Sequence, residues 1–556
     1  MQNEKMIFNM KRFSIILFFV SFFSCSDLEL PLTNQLNDGA YWRNDQDAVD
    51  ALSSCYQSIM ASWDGGSTAD PGNSPNYNQY FASEALSDNA FNIGTSYGGV
   101  GQIANGSFDN RTLRIAYEWS DRYAGIRRCN KLLENVDKIK GSTAVLIARY
   151  KAEAKFIRAW SFFQLTNFYG DVPLVTTTLT ISDAKSIKRT AKADVVAFVL
   201  KELTDIQADL PVTPGANDLG RINRATAIAL RARVNLYQGN WVDVVADCEK
   251  LINSTANGSF GLYNSYPGLF TVDAENSNEI IWAIQMGGAR LQSNQRLFLP
   301  PTVGKLRAQL VPTQALIDEY IMTNGKGIND AGSGYLENTP FVNRDPRLES
   351  TILHDASTVV DFDGVTQIIL TKEGSIPANN SVTDLGASPT GYYFQKYYDR
   401  SSVAFNSGLN LILLRYADVL LMYAEAKNEL NQMNTTTWDA TIKPIRARAG
   451  FTLPSALNFD ASLNQASMRS VIRRERRAEL AFEGLRIFDI KRWSLAEQVL
   501  NQPVKGIKVS SQFTRDANGY RIVEQRTFLA AKNYLWPVPQ FELDQNANLL
   551  PNNTGW

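Results

Sequence analysis

A single histidine, His354, serves all 556 residues, and only four cysteines accompany it. That scarcity excludes histidine-rich metal centres and makes any Ser-His-Asp triad depend on one residue. His354 lies in the string ILHDAS, which reads as a strand end or a surface position. Net charge is missing too: 55 Lys+Arg against 56 Asp+Glu leave −1, so neither a nucleic-acid partner nor a polybasic membrane clamp is expected. There is no phosphate loop, no CxxC pair and no nucleophile elbow. No catalytic residues, metal site or cofactor are therefore expected. What is present is a globular composition, 44% hydrophobic and 20% charged, in a chain too long for one simple core.

The N-terminus carries an export signal. Lys11 and Arg12 precede the apolar run Phe13–Phe23, which falls short of the ~20 residues needed to span a bilayer. Met10, directly before Lys11, is a candidate start as well as Met1. Cys25 resembles the lipidated cysteine of bacterial lipoproteins, and Ser26-Asp27-Leu28-Glu29 resembles an acidic surface-export signal. Residues 1–24 are thus read as signal peptide and 25–40 as lipid anchor and tether. Several acyl chains at ~0.8 kcal/mol per buried methylene would hold the protein to a membrane. Cys55, Cys129 and Cys248 fall in helical patterns beside apolar neighbours and default to buried thiols, with a Cys55–Cys129 bridge as the alternative.

Asn44 and Asp45 are placed to cap a helix through Met60. Residues 61–110 show no sustained helical period; they are rich in glycine, asparagine and serine, with Trp63, Tyr77, Tyr80, Tyr97 and Phe108 spaced among them. Rings beside amides suit contact with sugars or peptides, since a ring packs on an apolar face while amides bond hydroxyls. Helices are expected near 113–138, 143–168 and 192–209. In the second of these, Phe156, Ala159, Trp160 and Phe163 form one apolar face and Ala154, Ile157 and Leu165 another, as in a helix sandwiched between neighbours; Arg149, Lys151, Lys155 and Arg158 hold the remainder. Residues 224–252 have small alanines at 225, 229 and 232 and a Gly239-Asn240 turn, the pattern of a tetratricopeptide helical pair.

From 254 to 408 the pattern becomes irregular. Residues 279–285, 365–371 and 392–398 alternate like strands, 312–322 reads as a helix, and Asp345-Pro346-Arg347 reads as a turn. Helical order returns at 412–430, 436–449 and 469–493. In the last of these, Glu475, Glu479 and Glu483 recur every four residues, as a glycosidase pair might, but Arg473, Arg474, Arg476 and Arg477 interleave with them. Arginine neighbours lower a carboxylate's pKa, the wrong direction for a general acid, so these are read as ion pairs between helices.

The strings YGDVPL (169–174), RYADVLLMYAEA (415–426), RRERRAELAFEGLR (473–486) and LWPVP (535–539), behind a lipoprotein signal, resemble the SusD/RagB family of outer-membrane nutrient-binding lipoproteins. The resemblance implies a mostly α-helical fold of tetratricopeptide-like pairs in a right-handed superhelix, with an irregular loop-rich lobe containing short strands. The divisions that follow are an N-terminal helical region, 41–253, with a ligand loop at 61–110; an irregular lobe, 254–408; and a C-terminal helical region, 409–556. The resemblance further implies a lipid-anchored protein on the outer face of the outer membrane. There it would bind glycans and deliver them to a SusC-like TonB-dependent transporter, with oligopeptide uptake or a non-binding transporter lid as alternatives. The candidate ligand contacts are Trp63, Tyr77, Asn92, Tyr97, Tyr266, Arg290, Gln292, Arg296 and Phe298, and Cys25 is the lipidation site.

Overall fold

Stacked helices begin at a capping box in which the Asn44 side chain accepts from the backbone N–H of Asp47 while the Asp47 carboxylate accepts from Asn44 N–H. That cap opens α1 (Asp45–Gln57), which buries Ala48, Leu52 and Cys55. The computed structural model describes residues 41–59, 78–93, 99–287, 295–375, 380–402 and 406–556. α2 (Asn78–Ala85) and β1 (Ala90–Asn92) follow, then α3 (Leu113–Asn135), α4 (Ala144–Tyr169) and α5 (Lys192–Asp205). α6 (Arg224–Gln238) turns through Gly239, at φ 75°, into α7 (Trp241–Ile252). The C-terminal part adds α8 (Tyr416–Glu429), α9 (Ile442–Ala449), α10 (Gln465–Glu479) and α11 (Arg486–Arg492).

Each helix packs mainly on its neighbours along the array: α1 on α3, α3 on α4, α4 on α5, α5 on α6, α6 on α7, α7 on α8 and α8 on α10. This is the helical-pair fold expected from the sequence. The alanine crossing is real, since Ala225, Ala229 and Ala232 have no exposed surface and let the backbones of α6 and its partners approach. α4 is buried on every side beyond Tyr150, from Ala152 through Tyr169, with Lys155 and Asn167 the partly exposed exceptions. Arg158, expected on its polar side, is buried instead. Its guanidinium spans the Glu202 carboxylate at 2.6 and 3.0 Å and donates to Asn130 Oδ1 at 2.6 Å, so the buried charge is paired.

Two of the strings that carried the resemblance meet at the end of this helix. The Phe168 and Trp536 rings stack with centroids 4.0 Å apart, and Trp536 N–H donates to Phe168 O at 2.7 Å. Asn553 Nδ2 then donates to both Tyr169 O and Trp536 O. Gly170, at φ 72°, leaves room there for Leu535, whose Cδ1 would lie 2.8 Å from an added Cβ.

The structure differs from the sequence expectations in several places. The 61–110 stretch contains α2, β1 and a short helix, Val100–Asn105, among its described residues. Residues 411–415 are not helical: they form β4 (Leu411–Arg415), antiparallel to β2 (Ile280–Ile284), because Leu and Ile there are buried on a sheet pair. Asp345 is an N-cap rather than a free turn; its carboxylate accepts from Arg347 N–H and opens the helix Pro346–Thr351. The expected 469–493 helix breaks between α10 and α11, where Phe482 and Gly484 take φ of 66° and 73°. β3 (Leu310–Pro312) precedes a helix of Gln314–Glu319, shorter than the 312–322 expected.

Candidate functional site

Contacts between distant parts of the chain tie α2 to Ile412 and β1 to β3. Tyr80, on α2, donates its hydroxyl to Ile412 O at 2.8 Å and lies 3.1 Å from the Tyr397 hydroxyl. Ile59, at the end of the N-terminal helical turn, lines one cavity with Tyr80, Trp160, Ile284 and Leu411. It lines a second, of about 220 Å³, with Tyr56, Gly220, Trp282 and Gln285. β1 pairs antiparallel with β3, Asn92 opposite Leu310, and Ile93 N–H extends the ladder to Gln309 O at 2.7 Å. Gln309 N–H in turn donates to Leu297 O at 2.7 Å.

Gln295 closes the set. It is wholly buried, accepts from Asp399 N–H at 3.0 Å and donates to Ser402 Oγ at 2.7 Å. Asp399 Oδ2 accepts from Ser407 Oγ at 2.6 Å, and Asn380 Nδ2 donates to Thr302 Oγ1 at 2.9 Å. Gln295, Asp399, Ser402 and Ser407 thus form one buried polar group, and Asn380 with Thr302 forms another. A cavity on a helical scaffold is where binding residues are usually presented.

Beneath this region lies a buried charge cluster organised by α10. Arg415 donates to Glu479 Oε1 at 2.6 Å, to Glu279 Oε1 at 2.9 Å and to both oxygens of Glu483 at 2.7 and 2.9 Å. Arg347 pairs with Asp345, Glu475 and Glu479, Arg446 with Glu475, Arg448 with Glu279 and Glu479, and Lys396 with Glu483. Five cations thus meet five carboxylates. Burial alone would raise the Glu479 carboxyl, but the guanidinium groups of Arg448, Arg415 and Arg347 outweigh it and hold it below the usual range. Burial pulls Lys396 down to about 8, against the attraction of Glu483. The glutamates at four-residue spacing are ion-paired framework, in the direction the arginine neighbours implied, and they hold no proton to give a leaving group.

The remaining charges of the RRERR run face other partners. Arg476 pairs with Asp418 and Asp489, while Arg477 bridges Asp88 and Glu319. The helix is a hub for three directions of the fold, not a basic surface. His354 is mostly buried, stacked on Phe341 with centroids 3.5 Å apart and 2.7 Å from a Glu349 oxygen. Among the described residues no group of three or more His, Cys, Asp or Glu could hold a metal ion.

Of the nine candidate contacts, Trp63, Tyr77, Tyr97, Arg290 and Gln292 lie outside the described residues, as does Cys25. Three others pack inside. Tyr266 is 1% exposed; its hydroxyl donates to Glu479 O at 3.1 Å and its ring packs edge-on against Phe270. Phe298 is 1% exposed between Phe81 and Phe482. Asn92 is buried on β1. These three belong to the packed interior rather than to a surface. Arg296 is half-buried and donates Nε to Gly304 O at 3.1 Å, bracing the Pro301–Gly304 turn. The sequence reading missed Gln295 and Asp399, polar residues far apart in the chain whose pairing leaves no local signal.

Comparison with known proteins adds a family. The model of the SusD family matches residues 278–556, and one described as starch-binding associating with outer membrane matches residues 43–236. The SusD-like protein P2 of Formosa agariphila is 27% identical over 450 residues, 79% of this chain and 80% of its own length. The starch-binding protein SusD of Bacteroides thetaiotaomicron is 26% identical over 164 residues, 28% of this chain and 29% of its own. A solved structure of a SusD-like carbohydrate binding protein from Bacteroides fragilis superposes with a TM-score of 0.80 at 28% identity, across 92% of this chain and 100% of that one.

Proposed function

The chain belongs to the SusD family, and we propose on that footing that it is a surface lipoprotein of the outer membrane that captures glycans without cleaving them. The captured oligo- or polysaccharide passes to a SusC-like TonB-dependent transporter, over which the lipoprotein sits. Cys25 carries the lipid, and residues 25–40 tether the folded body to the membrane. The observation that carries the reading is the match in fold to a SusD-like carbohydrate binding protein, at a TM-score of 0.80 and 28% identity. A carbohydrate-binding relative of the same fold and a starch-binding family description support glycan over peptide. Trp63, Tyr77, Tyr97, Arg290 and Gln292 are the contacts we assign, rings for sugar faces and polar groups for hydroxyls.

Isothermal titration of residues 26–556 against oligosaccharide and peptide panels tests this. We expect glycan binding that weakens about fivefold for Trp63→Ala and for Tyr97→Ala, from ~1 kcal/mol per stacked ring. Tyr266→Phe should leave affinity unchanged. Binding of peptides alone would replace the glycan reading with oligopeptide uptake, and release of reducing ends would refute the non-catalytic one.

A further inference from the structure

α1 and α3 cross unusually close. Arg122 Nη1 donates to Ser58 O at 3.2 Å and Arg128 Nη1 to Ser54 O at 3.4 Å, so the helices run antiparallel in a fixed register. At Gly125 an added Cβ would stand 2.5 Å from Ser58 Cβ, which is why glycine occupies that position. One turn back from Ser58 on α1 is Cys55, and one turn on from Gly125 on α3 is Cys129. The antiparallel register sets these two opposite each other. Both are free thiols with no exposed surface, and the Cys55 thiol adds to burial in raising the Cys129 thiol. A disulfide needs Cα atoms roughly 4.4–6.8 Å apart, a spacing that facing residues at a close helix crossing can reach.

We propose that Cys55 and Cys129 are a modification site, joined as a disulfide when the chain folds in an oxidising compartment. One thiolate attacks a sulfur of a disulfide donor, forming a mixed disulfide and expelling the donor's other sulfur as a thiolate. The second thiolate of the chain then attacks its own sulfur in that mixed disulfide and releases the fully reduced donor. The chain loses two electrons and two protons, and the donor gains both as a dithiol. The exchange precedes completion of folding, because burial raises the Cys129 thiol well above its ordinary value and keeps it protonated and unreactive in the closed core. Cys248 on α7 stays outside the pair; its thiol is buried beside Asp247, Asp418 and Glu249.

The test is a peptide map of the full chain directed to an oxidising bacterial periplasm by an export signal. The sample is denatured without reductant and its thiols are alkylated. Because the experimenter imposes the compartment, the outcome is independent of where the protein normally resides and of what it binds. We expect the Cys55 and Cys129 peptides joined and Cys248 alkylated. In the folded protein, dithiothreitol should open the bridge at least ~100-fold more slowly than in denaturant, since core sites exchange only through unfolding. The oxidised form should also melt a few degrees above the reduced one, because the bridge restricts the unfolded chain. Alkylation of Cys55, Cys129 and Cys248 alike, or a bridge that includes Cys248, would overturn the proposal.

Discussion

Arg415→Met is the most informative perturbation of the framework, because one guanidinium serves three carboxylates. It removes the bonds to Glu279, Glu479 and Glu483 together with a donation to Glu479 O at 2.8 Å. Each carboxylate keeps another cation: Glu279 and Glu479 keep Arg448, and Glu483 keeps Lys396 at 2.7 Å. The change therefore costs one uncompensated buried charge rather than three, and breaking one buried partnership costs about 3–5 kcal/mol. Urea unfolding followed by tryptophan fluorescence should show a loss of about 4 kcal/mol relative to wild type. A pH series adds a signed check. The Glu479 and Glu483 carboxyls sit below their ordinary 4.5 in the folded protein, held down against burial by Arg448, Arg415 and Lys396 among others. Their contribution is complete above about 4.5 and is lost as pH falls through the lower folded values, because the unfolded chain takes up protons first. Arg415→Met narrows that gap, so the difference between wild type and variant should shrink below pH about 4.5. A cost under ~1 kcal/mol, or a difference that does not change in acid, would refute this account of the cluster.

Gly484→Ala tests how the C-terminal framework holds α2. Gly484 has φ 73°, its Cβ would stand 2.8 Å from Tyr80 O, and its N–H donates to Glu84 Oε1 at 2.7 Å. We expect about 2 kcal/mol of destabilisation, read by urea unfolding, with faster hydrogen exchange in residues 78–85; an unchanged midpoint would refute it. Lys491 donates to Tyr534 O at 2.9 Å, and burial with nearby Lys192 pulls it down to about 7 from 10.5. The unfolded chain then binds more protons between those values, so this residue makes stability rise with pH from about 7 to 10.5. Melting temperatures of Lys491→Met should lack that rise, and a slope equal to wild type would contradict it.

The helices were legible where caps and period agreed, as at Asn44 and Gly239. They were misread where pairing across the chain overrode local pattern. Residues 411–415 continue a helical apolar period into α8, yet Ile280–Ile284 recruits them as a strand. Arg158 counted as a polar-side residue because nothing nearby in sequence shows Glu202 waiting across the α4–α5 contact. The same limit governs the site. Composition cannot separate a ring that stacks in the core, such as Tyr266 or Phe298, from a ring presented on a loop.

The family was nevertheless readable, and the charge cluster explains why. YGDVPL and LWPVP meet where the Tyr169 ring packs edge-on against Trp536 and where Gly170 leaves room for Leu535, and the RYAD and RRERRAEL strings meet where Arg476 pairs with Asp418 and where Arg415 pairs with Glu479. Such residues are held to type by burial: a glutamate that neutralises several guanidinium groups has no substitute of the same charge and reach. A sugar contact is less demanding, since tryptophan, tyrosine or phenylalanine can stack on a pyranose from several backbone positions. Framework strings are therefore rigid in spelling, while contact segments need only the right composition between fixed stems. Cutting the bond of Gln295 to Asp399 should disturb binding more than exchanging one ring for another among the proposed contacts.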